Sequence, residues 1–280
     1  MENPNFAKIL LMLDDSSYAE AAKEYACEIA ITHGATITGV AIVDLPGIQS
    51  SGGPVPIGAA HYEVKREEHL LGEAEEKAKA TLHRFAQTCE SRNINNTDLH
   101  TDTGSPFSEI IEESKFHDFT VMGKKSFFGY TDHETFGTLE KILKNGLSPV
   151  LAVPNSVRKI EKVLVAYDNS FPAAKVVHMF LLLGIWNACD ITLLNVNDNV
   201  NAGEKILNDL SVFFQSYGIQ PHLVTQSGIP DALIKSYTAE NDIDLLVMGS
   251  YGKKSVREFF LGSVTRHLIH ETDIPLFLYH

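Results

Sequence analysis

The sequence predicts an α/β protein built as two tandem doubly wound domains, each a five-stranded parallel sheet with helices on both faces. Three observations lead there. Short apolar runs of strand length alternate with longer runs of helical period. The alternation occurs twice along the chain, in the same order. Each copy also closes on a short apolar strand, Val150–Val153 and Leu276–Tyr279, with no long Gly/Ser linker between the copies, so the two should pack closely.

The bulk composition sets limits. The chain has 280 residues, 44% hydrophobic and 21% charged, an ordinary globular composition of two-domain size. A formal net charge of -13 argues against a general binder of nucleic acid or of anionic membranes, though not against a small anion held by backbone amides. The three cysteines, Cys27, Cys89 and Cys189, lie far apart in sequence and show neither a disulfide framework nor zinc spacing, so a reducing cytoplasm is expected. The opening MENPNFAKILLML carries an early acid and an apolar run that stops at Asp14, unlike a signal peptide. The longest apolar run, 176–186, contains His178 and is too short to span a bilayer, so no membrane insertion is expected.

The elements follow in order. Lys8–Leu13 reads as a buried strand, ending in Asp14-Asp15-Ser16-Ser17 with its N-cap signal. A helix over 18–33 places Ala22, Ala26 and Ile29 on one face and stops at Gly34. Residues 35–43 form the second strand, and 44–60, rich in Gly, Pro and Ser, a surface loop. A long polar helix covers 62–91.

The same order then repeats. Ile9 to Ser16 lies over Val163 to Ser170, and Ile37 to Ile42 over Ile191 to Val196 without a gap. Gly104-Ser105-Pro106 matches Gly228-Ile229-Pro230, Val121-Met122-Gly123 matches Val247-Met248-Gly249, and Gly137-Thr138 matches Gly262-Ser263. The chain is a duplication of a unit of about 140 residues, expected as domains 1–155 and 156–280 with the boundary near Pro154-Asn155-Ser156. In the second copy the corresponding second helix is shorter, 202–217.

The chemistry concentrates in 244–263, DLLVMGSYGKKSVREFFLGS. A short buried strand ends at Gly249, Gly252 follows three residues on, and nine residues later Gly262-Ser263 opens a helix. Glycines let backbone N–H groups approach an anion without a Cβ in the way, and a helix N-terminus favours a phosphate. On spacing alone, a strand-turn-helix whose glycines serve only the turns explains the pattern as well. GSYGKKS departs from the P-loop spacing GxxxxGK followed by Ser or Thr, and Lys253 and Lys254 are expected to face solvent, since the pair Lys124-Lys125 recurs in the other copy.

Gly249, Gly252, Gly262 and Ser263 in this spacing, a strand ending in Asp168-Asn-Ser, and a closing strand after Ile274-Pro275 resemble the universal stress protein family, twice over nearly the whole chain. The resemblance implies a Rossmann-like fold of the adenine nucleotide alpha hydrolase kind, with ATP, or ADP or AMP, across the carboxyl ends of the strands. It implies that Ala166 lines the pocket, Asp168 sits near the adenosine, and Val196 contacts adenine through its backbone. Met248 and Gly249 would flank the ribose and phosphates, and Gly252, Gly262, Ser263 and Val264 would supply amides and a hydroxyl to the phosphates, with Mg²⁺ bridging phosphate oxygens as an option. It further implies that the closing strands pair antiparallel, here within one chain as a pseudo-dimer, with further homodimerisation and an unknown protein partner open.

The first copy departs from the pattern. Ser126 replaces the second glycine, Gly137-Thr138 arrives one residue late, and Phe127-Phe128-Gly129 intervenes, leaving Asp14, Ile42, Gly123 and Thr138 as remnants of a site that binds weakly, holds a different ligand or serves as a packing scaffold. Elsewhere, His267 and His270 share a helix face and could bind zinc with His222, His280 or Cys189, although surface histidines are the simpler reading. No general base or metal cage for fast hydrolysis stands out, so only slow ATP hydrolysis or autophosphorylation stays open as catalysis. The expected function is a cytoplasmic, ATP-binding stress-response module with the nucleotide in the second copy. The alternatives are a scaffold or hydrophobic-ligand binder, its pocket filled by side chains such as Tyr167 or Tyr251, and a zinc-dependent hydrolase.

Overall fold

A computed structural model of the chain describes residues 6–52, 60–129, 137–250 and 262–280. In the first half, β1 (Lys8–Leu13), α1 (Ser17–His33), β2 (Thr36–Asp44), α2 (Leu45–Ser50), α3 (Ala60–Ser91), β3 (Thr97–Gly104), α4 (Pro106–Ser114), β4 (Phe119–Gly123), α5 (Thr138–Asn145) and β5 (Val150–Val153) follow one another. The second half runs β6 (Lys162–Ala166), α6 (Phe171–Leu183), β7 (Asp190–Val196), α7 (Val200–Gln215), β8 (His222–Gln226), α8 (Pro230–Glu240), β9 (Leu245–Gly249), α9 (Ser263–Glu271) and β10 (Leu276–Tyr279).

Local chemistry explains the repeated entry into each half. Ser16 and Ser170 each accept a hydrogen bond from the amide three residues on, capping α1 and α6. Gly34 and Gly184 end the same helices in the left-handed region, at φ 70° and 66°. The preceding strands, β1 and β6, are buried on both faces, as central parallel strands are.

Among the described residues, ten strands form one sheet in the order β3-β2-β1-β4-β5-β10-β9-β6-β7-β8. Neighbours run parallel within each half, and β5 meets β10 antiparallel, with Val150 opposite Leu278 and Ala152 opposite Leu276. The central strands therefore consume each other's edges inside the chain. Leu151, Leu276, Phe277 and Leu278 at this seam are fully buried, each worth about 1.5–3 kcal/mol against exposure. Polar contacts cross it too: Tyr279 Oη donates to the Leu147 carbonyl at 2.8 Å, and the Arg158 amide donates to Tyr25 Oη at 3.0 Å. Two apolar layers flank the sheet, one under α1, α3, α6 and α7, the other under α4, α5, α8 and α9.

One sequence expectation changes, and two contacts appear that the sequence did not announce. The stretch 44–60 is not loop throughout: α2 opens it, capped by Asp44 Oδ1, which accepts from the Gly47 amide at 2.9 Å, while 53–59 lies outside the described residues. Cys27 on α1 and Cys89 on α3, far apart in sequence, are free thiols buried in the same apolar layer and close enough to interact. Lys124 does not face solvent; it reaches across the seam, because the antiparallel β5–β10 pairing brings the turn before β10 next to the end of β4.

Candidate functional site

β6 and β9 lie side by side and parallel, but the chain leaves them in opposite directions, toward β7 on one side and β10 on the other. This is a switch point, where a doubly wound sheet opens a crevice beyond its carboxyl ends. Ala166 and Met248 face each other in register at the ends of these two strands. Val196 ends the next strand, β7.

The N-terminus of α9 lies at the end of β9. The Gly262 amide donates to the Ser250 carbonyl at 3.1 Å, and Thr265 Oγ1 donates to the Gly249 carbonyl at 3.2 Å, so the helix start is pinned to the end of β9. Among the described residues no side chain caps α9, and the first amides of a helix have no partner within the helix. Ser263 is exposed at its first position. Asp168 follows β6; its Oδ1 accepts from the Ser170 amide at 2.9 Å, and among the described residues its Oδ2 has no donor.

The predicted residues Ala166, Val196, Met248 and Val264 thus belong to one apolar cluster, with Asp168, Gly249, Gly262 and Ser263 on its rim. Gly252, Tyr251, Lys253 and Lys254 lie outside the described residues. Gly249 also has a packing reason to be glycine: a Cβ there would sit 2.7 Å from the Ala173 amide nitrogen and 2.8 Å from the Pro172 carbonyl carbon, at the start of α6. Sequence reasoning missed Thr265 and the wholly buried Ser250, whose hydroxyl donates to the Tyr279 carbonyl at 3.0 Å. Neither has a spacing signal of its own.

The same place in the first half is built differently. The counterparts of Ala166, Val196 and Val264 are Met12, Ile42 and Leu139, only 2%, 0% and 4% exposed, whereas the second-half residues remain half-buried. Phe128, 1% exposed, packs into this cluster. Its carbonyl accepts from the Asp44 amide at 3.1 Å, just past the strand end that Ile42 marks. The Phe127 amide donates to Asp14 Oδ2 at 2.7 Å, and Ser16 supplies the donor to Oδ1. Burial raises the Asp14 carboxyl, and these hydrogen bonds oppose the rise. Ser126 and Thr138 are buried as well. Among the described residues, Phe128, Met12, Ile42 and Leu139 are buried in one cluster at this place.

The other expected constellations separate. Tyr167 turns to the opposite layer, where it lines a cavity of about 250 Å³ with Asn169, His178, Asp209 and Phe213 between α6 and α7. His222 sits on the outer strand β8 at 3.2 Å from Asp190, while His267 and His270 are exposed on α9, so these zinc candidates are not brought together. Among the described residues one group with metal-ligand geometry occurs, His100, Asp102 and Glu113, and it was not anticipated; the alternation Asp98-x-His100-x-Asp102 on one strand face was the available signal.

Sheet order, duplicated caps and the switch points define a tandem doubly wound α/β protein. The profile of the universal stress protein family matches residues 5–154 and 204–280, and the chain belongs to that family, with two such domains in tandem. It is 24% identical over 287 aligned residues to Universal stress protein Slr1230 of Synechocystis sp., covering 96% of this chain and 98% of that one. Over 49 residues, 18% of this chain and 30% of the relative, it is 37% identical to Universal stress protein MJ0577 of Methanocaldococcus jannaschii. The fold is similar to the crystal structure of a universal stress protein from Archaeoglobus fulgidus, with a TM-score of 0.73, 21% identity and coverage of 100% and 99% of the two chains.

Proposed function

We propose that the protein binds one adenine nucleotide, ATP or its di- or monophosphate, in its second half, and acts as a nucleotide-dependent regulatory module. In this reading residues 1–155 form a closed domain and 156–280 the binding domain. One contrast carries it: the apolar floor of Ala166, Val196 and Val264 stays half-open beside an uncapped helix start, while its first-half counterparts are buried under Phe128. An apolar floor suits a base, and free amides at a helix N-terminus suit phosphates. Asp168 Oδ2 is left to accept from ribose hydroxyls. Mg²⁺ would be held chiefly by the phosphate oxygens themselves. A cytoplasmic setting belongs to the same proposal; among the described residues no helix is long and apolar enough to cross a membrane.

Calorimetric titration of Mg²⁺–ATP into the full chain tests this. A stoichiometry near one is expected, abolished by Gly252→Val and by Asp168→Ala, and kept by Asp14→Asn. Two equal sites, or no binding by protein shown to carry no nucleotide from purification, would overturn it. In the second case the scaffold reading takes its place.

A further inference from the structure

We propose that His100, Asp102 and Glu113 form a binding site for a divalent first-row transition-metal cation, of the Mn²⁺ or Zn²⁺ kind, at the outer edge of the first half. The proposal does not depend on the nucleotide reading.

The site arises from two periodicities meeting. β3 is the outermost strand of its half, and Asp98, His100 and Asp102 alternate onto one face of it. α4 returns over that strand, with Glu109 and Glu113 one turn apart and directed the same way. His100 Nε2 lies 3.6 Å from Asp102 Oδ2 and 3.6 Å from Glu113 Oε1, and the three donor atoms all fall within 4.8 Å of one another. At 3.6 Å these contacts are too long for hydrogen bonds. They are close to the separation of two donors sharing one ion, since bonds of about 2.0–2.2 Å at tetrahedral or octahedral angles put ligand atoms about 2.8–3.6 Å apart. The other ring nitrogen, Nδ1, faces Asp98 Oδ1 at 4.0 Å, on the side from which an outer carboxylate orients a ligating imidazole.

The set lacks ordinary compensation. Among the described residues the ion-pair partner of Asp102 and of Glu113 is His100 alone, and the neighbouring Lys115 is engaged with Glu112. Side-chain exposures of 33%, 30% and 29% for His100, Asp102 and Glu113 leave an ion access while removing much of the water that would screen the carboxylates.

The duplication supplies an internal control. The repeat alignment at Gly104 and Gly228 places Val224, Gln226, Leu233 and Tyr237 where His100, Asp102, Glu109 and Glu113 stand. The pairing register agrees, with Val40 opposite His100 and Leu194 opposite Val224. In the second half Val224, Leu233 and Tyr237 pack on the apolar layer. The fold therefore closes this strand–helix contact with apolar side chains, and the first half replaces them with converging carboxylates around an imidazole. One imidazole with two carboxylates is a mixed donor set that suits Mn²⁺ or Zn²⁺ and gives Mg²⁺ little from its nitrogen.

The test uses the full chain with Mn²⁺, Zn²⁺ and Mg²⁺ as probes. Mn²⁺ titration followed by electron paramagnetic resonance should show one site that His100→Ala removes or weakens at least about tenfold, with Mg²⁺ about tenfold or more weaker. Pulsed measurements on the bound Mn²⁺ should show coupling to one imidazole nitrogen, absent in His100→Ala. The variant H100V/D102Q/E113Y installs the second half's own solution; it should fold, lose that site and lose the rise in Tm that Zn²⁺ gives the native chain. Should it not fold, His100→Ala and the nitrogen coupling decide alone. Unchanged Mn²⁺ stoichiometry and affinity in His100→Ala, or bound Mn²⁺ without nitrogen coupling, would overturn the proposal.

Discussion

Lys124, at the end of β4, donates from Nζ to both the carbonyl and the hydroxyl of Thr272 in the other half, at 2.6 and 3.0 Å. Thr272 is the C-cap of α9, so a side chain of the first half holds the end of a second-half helix. An ammonium at a helix C-terminus is well placed electrostatically, but this one is largely removed from water.

Burial pulls the Lys124 ammonium down from 10.5 to about 7, against the partial support of Asp273. The native chain therefore sheds a proton that the unfolded chain keeps. Below about pH 7 both states hold the proton and the cost of the buried charge is fully present; between about 7 and 10.5 stability rises with pH. The contribution is at most about 1.4 kcal/mol per pH unit. Urea unfolding from pH 6.5 to 9 should show a steeper rise in the native chain than in Lys124→Met. Parallel slopes would remove Lys124 as the cause.

Phe128 should behave as a core residue although it sits where the family resemblance places a phosphate loop. Phe128→Ala removes a ring that is 1% exposed, and a loss of about 3–5 kcal/mol in denaturant unfolding is expected. A loss below about 1 kcal/mol would mark 126–129 as a surface excursion.

Gly249 should resist even alanine. The added Cβ would meet backbone atoms of α6 at 2.7 and 2.8 Å, which cannot swing aside as a side chain would. Gly249→Ala is expected to cost about 1–3 kcal/mol whether or not nucleotide is present, as thermal unfolding with and without ATP would show. A loss of nucleotide affinity with stability unchanged would instead assign this glycine to the ligand.

The thiols should react in two classes. Cys189 is partly exposed, with Sγ donating to the Ile160 carbonyl at 3.3 Å, while Cys27 and Cys89 are buried against each other. A thiol-reactive disulfide reagent should label Cys189 first, and the other two only as fast as the chain opens. Uniform labelling of all three in the native state would contradict the buried pair.

Much of this was legible beforehand, because it rests on local chemistry. Buried parallel strands show as apolar runs, Ser16 and Ser170 announce helix starts, Gly34 announces a stop, and the alignment of Ile9–Ser16 with Val163–Ser170 shows the duplication. Ala166 and Val196 stand at the ends of β6 and β7, and Met248 one residue before the end of β9, where the apolar runs stop. The altered spacing around Ser126 was visible too.

By itself, then, the sequence determined the order of elements and their repetition. Only the tertiary structure decided where Phe128 points, that Cys27 meets Cys89, that Lys124 grips Thr272, and that His100 faces Glu113. The reason is physical. Periodicity reports which face of one element avoids water, a property of neighbours in the chain. The other contacts join residues on different elements, and sheet order together with the antiparallel β5–β10 seam sets which elements meet.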